Sequence, residues 1–153
     1  MNAPKTLLAV LFALFAVTSL PAQQFQRIDP KMLESMKRHR LVEIRSYKLQ
    51  PGTGVKFHAL VSEQSLPLMR AASMDVIAYG QSLHDADEYF LIRSYESLEQ
   101  MRESQDVFYA SPAWRQGPRE AIVALIDSDL NATLWLTMEA INAIRESRRR
   151  EVA

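Results

Sequence analysis

Cysteine is absent from the 153-residue sequence, so disulfides, thiolate metal sites, thiol nucleophiles and lipid attached through an N-terminal cysteine are excluded. Folding must rest on packing alone. Surplus charge is absent too: 18 basic residues balance 18 acidic ones, whereas nucleic-acid binders carry a basic excess gathered on one face. A nucleic-acid partner therefore has no support. The one basic cluster, Arg145, Arg148, Arg149 and Arg150, reads as the solvated end of a helix set against the negative pole of its dipole. A catalytic constellation is missing as well. Ser46 and Ser94 lack a GxSxG context, Ser62, Ser65 and Ser73 have no evident base, and no second histidine or carboxylate stands at a metal-ligand spacing. The pattern implies no metal and no cofactor.

What is present is an ordinary globular composition, 48% apolar and 24% charged, on a chain long enough for one domain around one core. The first residues depart from it. Lys5 supplies a positive start, Leu7 to Leu20 an apolar stretch, and Pro21-Ala22 a small-residue end, the pattern of an export signal cleaved near Ala22. A retained membrane anchor is the competing reading, but the run falls short of the roughly 20 apolar residues a span needs. No later segment is long and apolar enough to be a stable span. The sequence thus divides into a signal peptide over 1–22, a polar lead-in over 23–40, an α+β domain over 41–137 and a C-terminal helix over 138–153. The mature protein is expected in the periplasm or outside the cell. In the lead-in, Asp29 and Pro30 suit the start of one short helix.

From Leu41 to Leu49 the residues alternate, with Val42 and Ile44 opposite Glu43, Arg45 and Tyr47, which predicts a strand. Pro51-Gly52 breaks it, Thr53 can cap a helix carrying Val55, Phe57, Leu60 and Val61, and Pro67 is expected to end or kink that helix. Met74 to Leu83 and YFLIRSY then form a hairpin around the polar turn His84 to Glu88. Ser97 and Gln100 have capping-box spacing for a helix beginning near Leu98. Ser111-Pro112 opens another helical stretch with Trp114, Ile122 and Leu125 inward, ATLWLT makes a last strand, and Ile141 and Ile144 mark the buried side of the final helix. The order is βαββαβ with helical extensions.

One tetrapeptide occurs twice. Ile44-Arg45-Ser46-Tyr47 returns as Ile92-Arg93-Ser94-Tyr95, on the first strand of each βαβ half, and such a fold makes those strands neighbours at the sheet centre. With Val42, Ile44, Phe90 and Ile92 turned to the helices, Arg45, Tyr47, Arg93 and Tyr95 are expected together on the other, open face.

The segments VEIRSYKLQPGT, YFLIRSYESLEQ and FYASPAWRQ resemble, in order and spacing, the NIPSNAP family over residues 41–137. The resemblance implies a ferredoxin-like antiparallel sheet with helices on one face, expected to pair through its open face as a dimeric α/β barrel. It brings no settled reaction, since the family is described through trafficking and mitochondrial associations. The export signal stands where better-known members have a mitochondrial presequence, so those associations are not carried over.

An exposed sheet face bearing Leu41, Tyr47, Leu91 and Tyr95 needs a cover, and a second copy supplies one, hence an expected homodimer. Arg45, Tyr47, Arg93 and Tyr95 would line the space between the sheets and hold a small anionic or aromatic ligand. The competing structural reading pairs the arginines with Glu43 or tyrosine hydroxyls. His58 is a weaker candidate, as an axial haem ligand or base such as some proteins of the wider dimeric-barrel group employ, against a solvated surface histidine. Trp114 and Trp135 are expected to fill the core. A non-catalytic small-molecule or partner-binding module leads, and a barrel enzyme of monooxygenase or haem-binding type is the alternative.

Overall fold

The computed structural model describes residues 31, 34 and 38–152. The expected signal peptide and most of the lead-in, Asp29 and Pro30 included, lie outside the described residues. Strand β1 spans His39–Leu49, β2 Asp75–Gln81, β3 Glu88–Tyr95 and β4 Ile126–Thr137. They form one sheet in the order β2-β3-β1-β4 with every neighbouring pair antiparallel, which is the ferredoxin-like α+β arrangement. The two strands carrying the repeated tetrapeptide are indeed the central pair, with Ile44 directly opposite Ile92.

Between β1 and β2 the chain is helical from Gly54 to Ala71, in three registers: α1 over Gly54–Leu60, a π turn over Val61–Ser65 and α2 over Leu66–Ala71. Pro67 does not end this stretch; it sits in the first turn of α2, where a missing N–H is harmless, directly after the π turn. The widened turn explains a slip in the apolar pattern. Phe57 and Val61 are four apart, Leu66 follows five later and Met69 three after that, yet all four are buried on one side because the π turn absorbs the extra residue. Val55, read as inward, is 76% exposed.

Helix α3, Leu98–Ala110, starts as its sequence indicates: the Ser97 hydroxyl accepts from the Gln100 N–H at 3.1 Å, and the Gln100 side chain accepts from the Glu96 N–H at 3.2 Å. Ser111 caps the short α4, Pro112–Arg115, through the Trp114 N–H at 3.3 Å, and α5, Arg119–Val123, follows. Trp114, Ile122 and Leu125 are buried as expected. Helix α6 spans Met138–Val152 and buries Ile141 completely, with Ile144 packed beside it. None of the described helices is long and apolar enough to cross a membrane.

The sheet has two covered faces. Helices α1 to α5 lie over the first, against Leu41, Leu49, Tyr89, Leu91 and Tyr95. Helix α6 crosses the second, against Val42, Ile77, Ala78, Ile44 and Ile92. It is pinned there by Arg145, whose Nη2 donates to both Asp75 carboxylate oxygens at 2.5 and 2.6 Å, and by Arg148, which lies over the Phe90 ring at 5.4 Å.

This arrangement corrects the face assignment. Val42, Ile44, Phe90 and Ile92 turn away from the main helical layer and toward α6, whereas Arg45, Tyr47, Arg93 and Tyr95 turn into that layer. The rule that apolar residues face the helices presumes one covered face; here the second face claims the aliphatic set for α6, and the charges on the first are neutralised by one another. The face expected to stay open for a second copy, that of Arg45, Tyr47, Arg93 and Tyr95, instead lies under α1 to α5, and α6 covers part of the opposite face. Bare apolar surface remains on the edge strand β4, at Leu130 and Leu134, and Trp135, read as core, is 55% exposed on the other side of that strand.

Candidate functional site

Glu43 and Arg93 are register partners across β1 and β3, and neither side chain is exposed. Arg93 donates from Nε at 2.9 Å and from Nη2 at 2.6 Å to Glu43 Oε2, which also accepts from Gln105 Nε2 at 3.0 Å. Glu43 Oε1 accepts from Asn131 Nδ2 at 2.7 Å. The remaining reach of Arg93 goes from Nη1 to the Tyr109 hydroxyl at 3.3 Å, while its guanidinium lies 5.9 Å from the centre of the Tyr95 ring. Burial works against the Arg93 charge, but the oxygens of Tyr109, Tyr95 and Glu43 more than offset it and hold the guanidinium protonated. A buried ion pair with this many hydrogen bonds is a structural fixture.

Beside it the helical layer stands away from the sheet, leaving a cavity of about 280 Å³. Its floor is Arg45, Tyr47, Tyr89 and Leu91 from the two central strands. Phe57, Val61, Ser65 and Met69 from the first helical stretch close one side, with Val61 and Ser65 the two ends of the π turn. Tyr109, Trp114 and Ile122 close the other, and Ile126 and Asp129 of β4 form the rim. Aromatic contacts keep these walls in place: Phe57 meets Tyr47 at 5.7 Å and Tyr89 at 4.9 Å between ring centres, and Trp114 meets Tyr109 at 5.7 Å.

Of the four arginines and tyrosines expected to act together, Arg45 and Tyr47 line this cavity; Arg93 and Tyr95 do not, and belong to the buried network next to it. Antiparallel pairing is the reason: it sets Arg45 opposite Leu91 and Arg93 opposite Glu43, so the two copies of the tetrapeptide run apart from their Ile44–Ile92 centre. Arg45 donates from Nη2 to Asp129 Oδ2 at 2.5 Å and lies 5.4 Å from the Tyr47 ring centre, yet its Nε is buried without a hydrogen-bond partner. Burial opposes its charge, and Tyr47, Asp129 and Tyr109 outweigh that, leaving Arg45 firmly protonated. Burial also pushes the Tyr47 hydroxyl up to about 12 and raises those of Tyr89 and Tyr95 further.

His58 is half-buried outside the cavity lining, hydrogen-bonded through Nδ1 to the Tyr89 hydroxyl at 3.0 Å and stacked on Tyr79 at 6.1 Å. Its side-chain hydrogen bond to the cavity lining is to Tyr89. Among the described residues no three His, Asp or Glu side chains gather to hold a metal. The sequence reading missed Asp129, Tyr109, Ser65 and Ile126. Asp129 and Ile126 sit on strand residues before the ATLWLT segment, and the other two fall on helical faces whose register the π turn and the α3–α4 break reset.

The family model for NIPSNAP matches residues 42–138. Among solved structures, an uncharacterised NIPSNAP-like domain protein from Burkholderia xenovorans is similar at 24% identity and a TM-score of 0.60, over 66% of this chain and 87% of that one. A NIPSNAP family protein of unknown function from Agrobacterium tumefaciens is similar at 22% identity and a TM-score of 0.61, over 65% and 90%. A second one from the same organism gives 21% identity and 0.58, over 62% and 90%. Among curated proteins none matches. With the matched span running from the first residues of β1 to the start of α6, through both copies of the tetrapeptide, this chain belongs to the NIPSNAP family.

Proposed function

We propose that the protein is an exported binding module that holds a small molecule in the cavity between its sheet and its helical layer. The single observation that carries this is the cavity itself: about 280 Å³, walled by aromatic and aliphatic side chains, with Arg45, Tyr47 and Tyr109 as polar groups in its lining. A site that is mostly apolar with a few convergent polar groups is the usual form of a small-ligand site. In this reading Arg45 and Tyr47 contact the ligand, and Arg93 and Tyr95 stiffen the sheet beneath it. His58, fixed on Tyr89 and outside the lining, supports neither axial haem ligation nor direct proton transfer to a bound molecule. Export rests on the apolar segment Leu7 to Leu20 and the Pro21-Ala22 end. Pairing of two copies would use the part of the sheet that α6 leaves bare, around Leu130 and Leu134.

The test is to fill the cavity. Protein recovered from the periplasm should carry a small-molecule mass under native mass-spectrometric conditions and bind an environment-sensitive apolar dye, and Ile122→Trp should abolish both while the fold is retained by circular dichroism. Dye binding that persists unchanged in Ile122→Trp would place the site elsewhere and end this reading. The same preparation, weighed under denaturing conditions, should begin at Gln23; a chain that still carries its first 22 residues would overturn cleavage of the export signal.

A further inference from the structure

We infer that the cavity selects an uncharged, ring-bearing molecule that presents a carbonyl or similar neutral acceptor oxygen to the tyrosine hydroxyls of its lining, and that it discriminates against a carboxylate of the same shape. This rests on the reading of the cavity as a ligand site and goes further by naming the class of ligand. The reasoning begins with charge. Among the described residues only two charged side chains line the cavity, Arg45 and Asp129, and they are joined at 2.5 Å. The neighbouring pair, Arg93 and Glu43, is likewise closed on itself at 2.6 Å. A carboxylate entering this space would leave water for a lining of no net charge and would lie beside the Asp129 carboxylate, so burying its charge would go largely uncompensated.

A neutral oxygen meets no such penalty and finds donors waiting. Arg45 Nη2 is committed to Asp129, so the donors offered to an occupant are tyrosine hydroxyls. Tyr109 also lines the cavity; its hydroxyl oxygen accepts from Arg93 Nη1 at 3.3 Å, so its own proton is free to point elsewhere. Burial keeps the Tyr47 hydroxyl protonated up to about 12, so this lining residue offers a donor, not a negative charge, at any physiological pH. Around these donors stand the rings of Phe57, Tyr89 and Trp114, which favour a flat aromatic or alicyclic body. Asp129 is thereby a specificity-determining residue: it orients the guanidinium through Nη2 and cancels the charge that would otherwise draw anions.

The experiment compares two probes of nearly equal shape, 2-acetylnaphthalene and 2-naphthoate, by tryptophan fluorescence quenching and calorimetry at neutral pH. Wild-type protein should bind the ketone about tenfold or more tightly than the carboxylate. Asp129→Asn, at a rim position whose side chain is 42% exposed, should retain the fold, strengthen naphthoate binding about tenfold and bring the two probes to parity or beyond. Ile122→Trp should remove binding of both. Naphthoate binding as well as the ketone in the wild type, or a preference unmoved by Asp129→Asn, would overturn the inference while leaving the cavity reading standing. Failure of both probes up to their solubility, or binding indifferent to Ile122→Trp, would overturn the cavity reading with it.

Discussion

Glu43 and Arg93 face each other across the two central strands, with the carboxylate and guanidinium 2.6 Å apart and no solvent on either. Such a pair is costly to break, because a lone charge is stranded wherever one partner is removed. Arg93→Met and Glu43→Leu should each lose about 3–5 kcal/mol in urea unfolding. The double variant should lose clearly less than the sum, since neither charge is then stranded. Strict additivity would show that the two side chains do not stabilise one another.

The alkaline limb of stability should belong to the tyrosines. Burial raises the folded-state value of Tyr47 to about 12 from the ordinary 10.0, and Tyr89 and Tyr95 move in the same direction. A group held more firmly protonated in the folded state contributes its full stability below its unfolded value and loses it as pH rises through the folded one. Unfolding free energy should therefore be level up to about pH 10 and fall between about 10 and 12. The tyrosinate absorption band should rise together with loss of the fold, and Tyr47→Phe should make the decline shallower. A full tyrosinate signal near pH 10 on an intact fold would contradict the burial of these hydroxyls.

On the acid side, Asp87 ties the β2–β3 turn to the start of α1, accepting from the Gly52 N–H at 2.6 Å and the Gly54 N–H at 2.9 Å. Those two backbone donors hold its carboxyl below the ordinary range. Its contribution is present above the unfolded value and disappears as pH falls through the lower folded one. Asp87→Asn should cost stability at neutral pH and almost none at the acid end of that window, read by thermal melts across pH. An equal loss at all pH values would trace the effect to something other than the carboxylate.

At the same junction Gly54 has no room for a side chain, because a Cβ would overlap the Ala86 carbonyl. Gly54→Ala should destabilise by about 1–3 kcal/mol despite alanine's better helix propensity. A neutral or stabilising result would show that the turn moves aside freely.

The π turn supplies a different kind of test. Glu63 is exposed at its middle, and deleting it restores regular spacing to Phe57, Val61, Leu66 and Met69. The shortened helix should keep the same apolar face and fold normally, while the cavity wall made by Val61 and Ser65 closes up and apolar dye binding falls at least severalfold. Loss of folding would mean that the extra residue is structural; full dye binding would mean that the wall does not depend on it.

The strand order, the capped start of α3 and the inward side of α6 were all readable from local chemistry: alternation in β1, the Ser97–Gln100 spacing, and the recurrence of Ile141 and Ile144. Which side of the sheet faced the helices was not. Period-two alternation distinguishes two sides without saying what covers each, and in β1 the charged side is the one beneath the main helical layer because Glu43 neutralises Arg93 there. Half of the candidate site, Arg45 and Tyr47, was visible as one copy of the repeated tetrapeptide. Asp129 was not, because its only link to Arg45 is the β1–β4 register, which places Arg45 opposite Asn131 with Asp129 two residues along that strand. A pairing between segments so far apart in the chain leaves no local mark.

That pairing also sets the order in which the molecule can be made. Strand β1 begins at His39, but its outer edge is completed only by β4, whose last residue is Thr137, and its second face is covered only by the helix after that. The earliest element of the domain thus waits for the latest. A chain that ends before β4 leaves two uncovered sides on a central strand, so the sheet is complete only when nearly the whole domain is present.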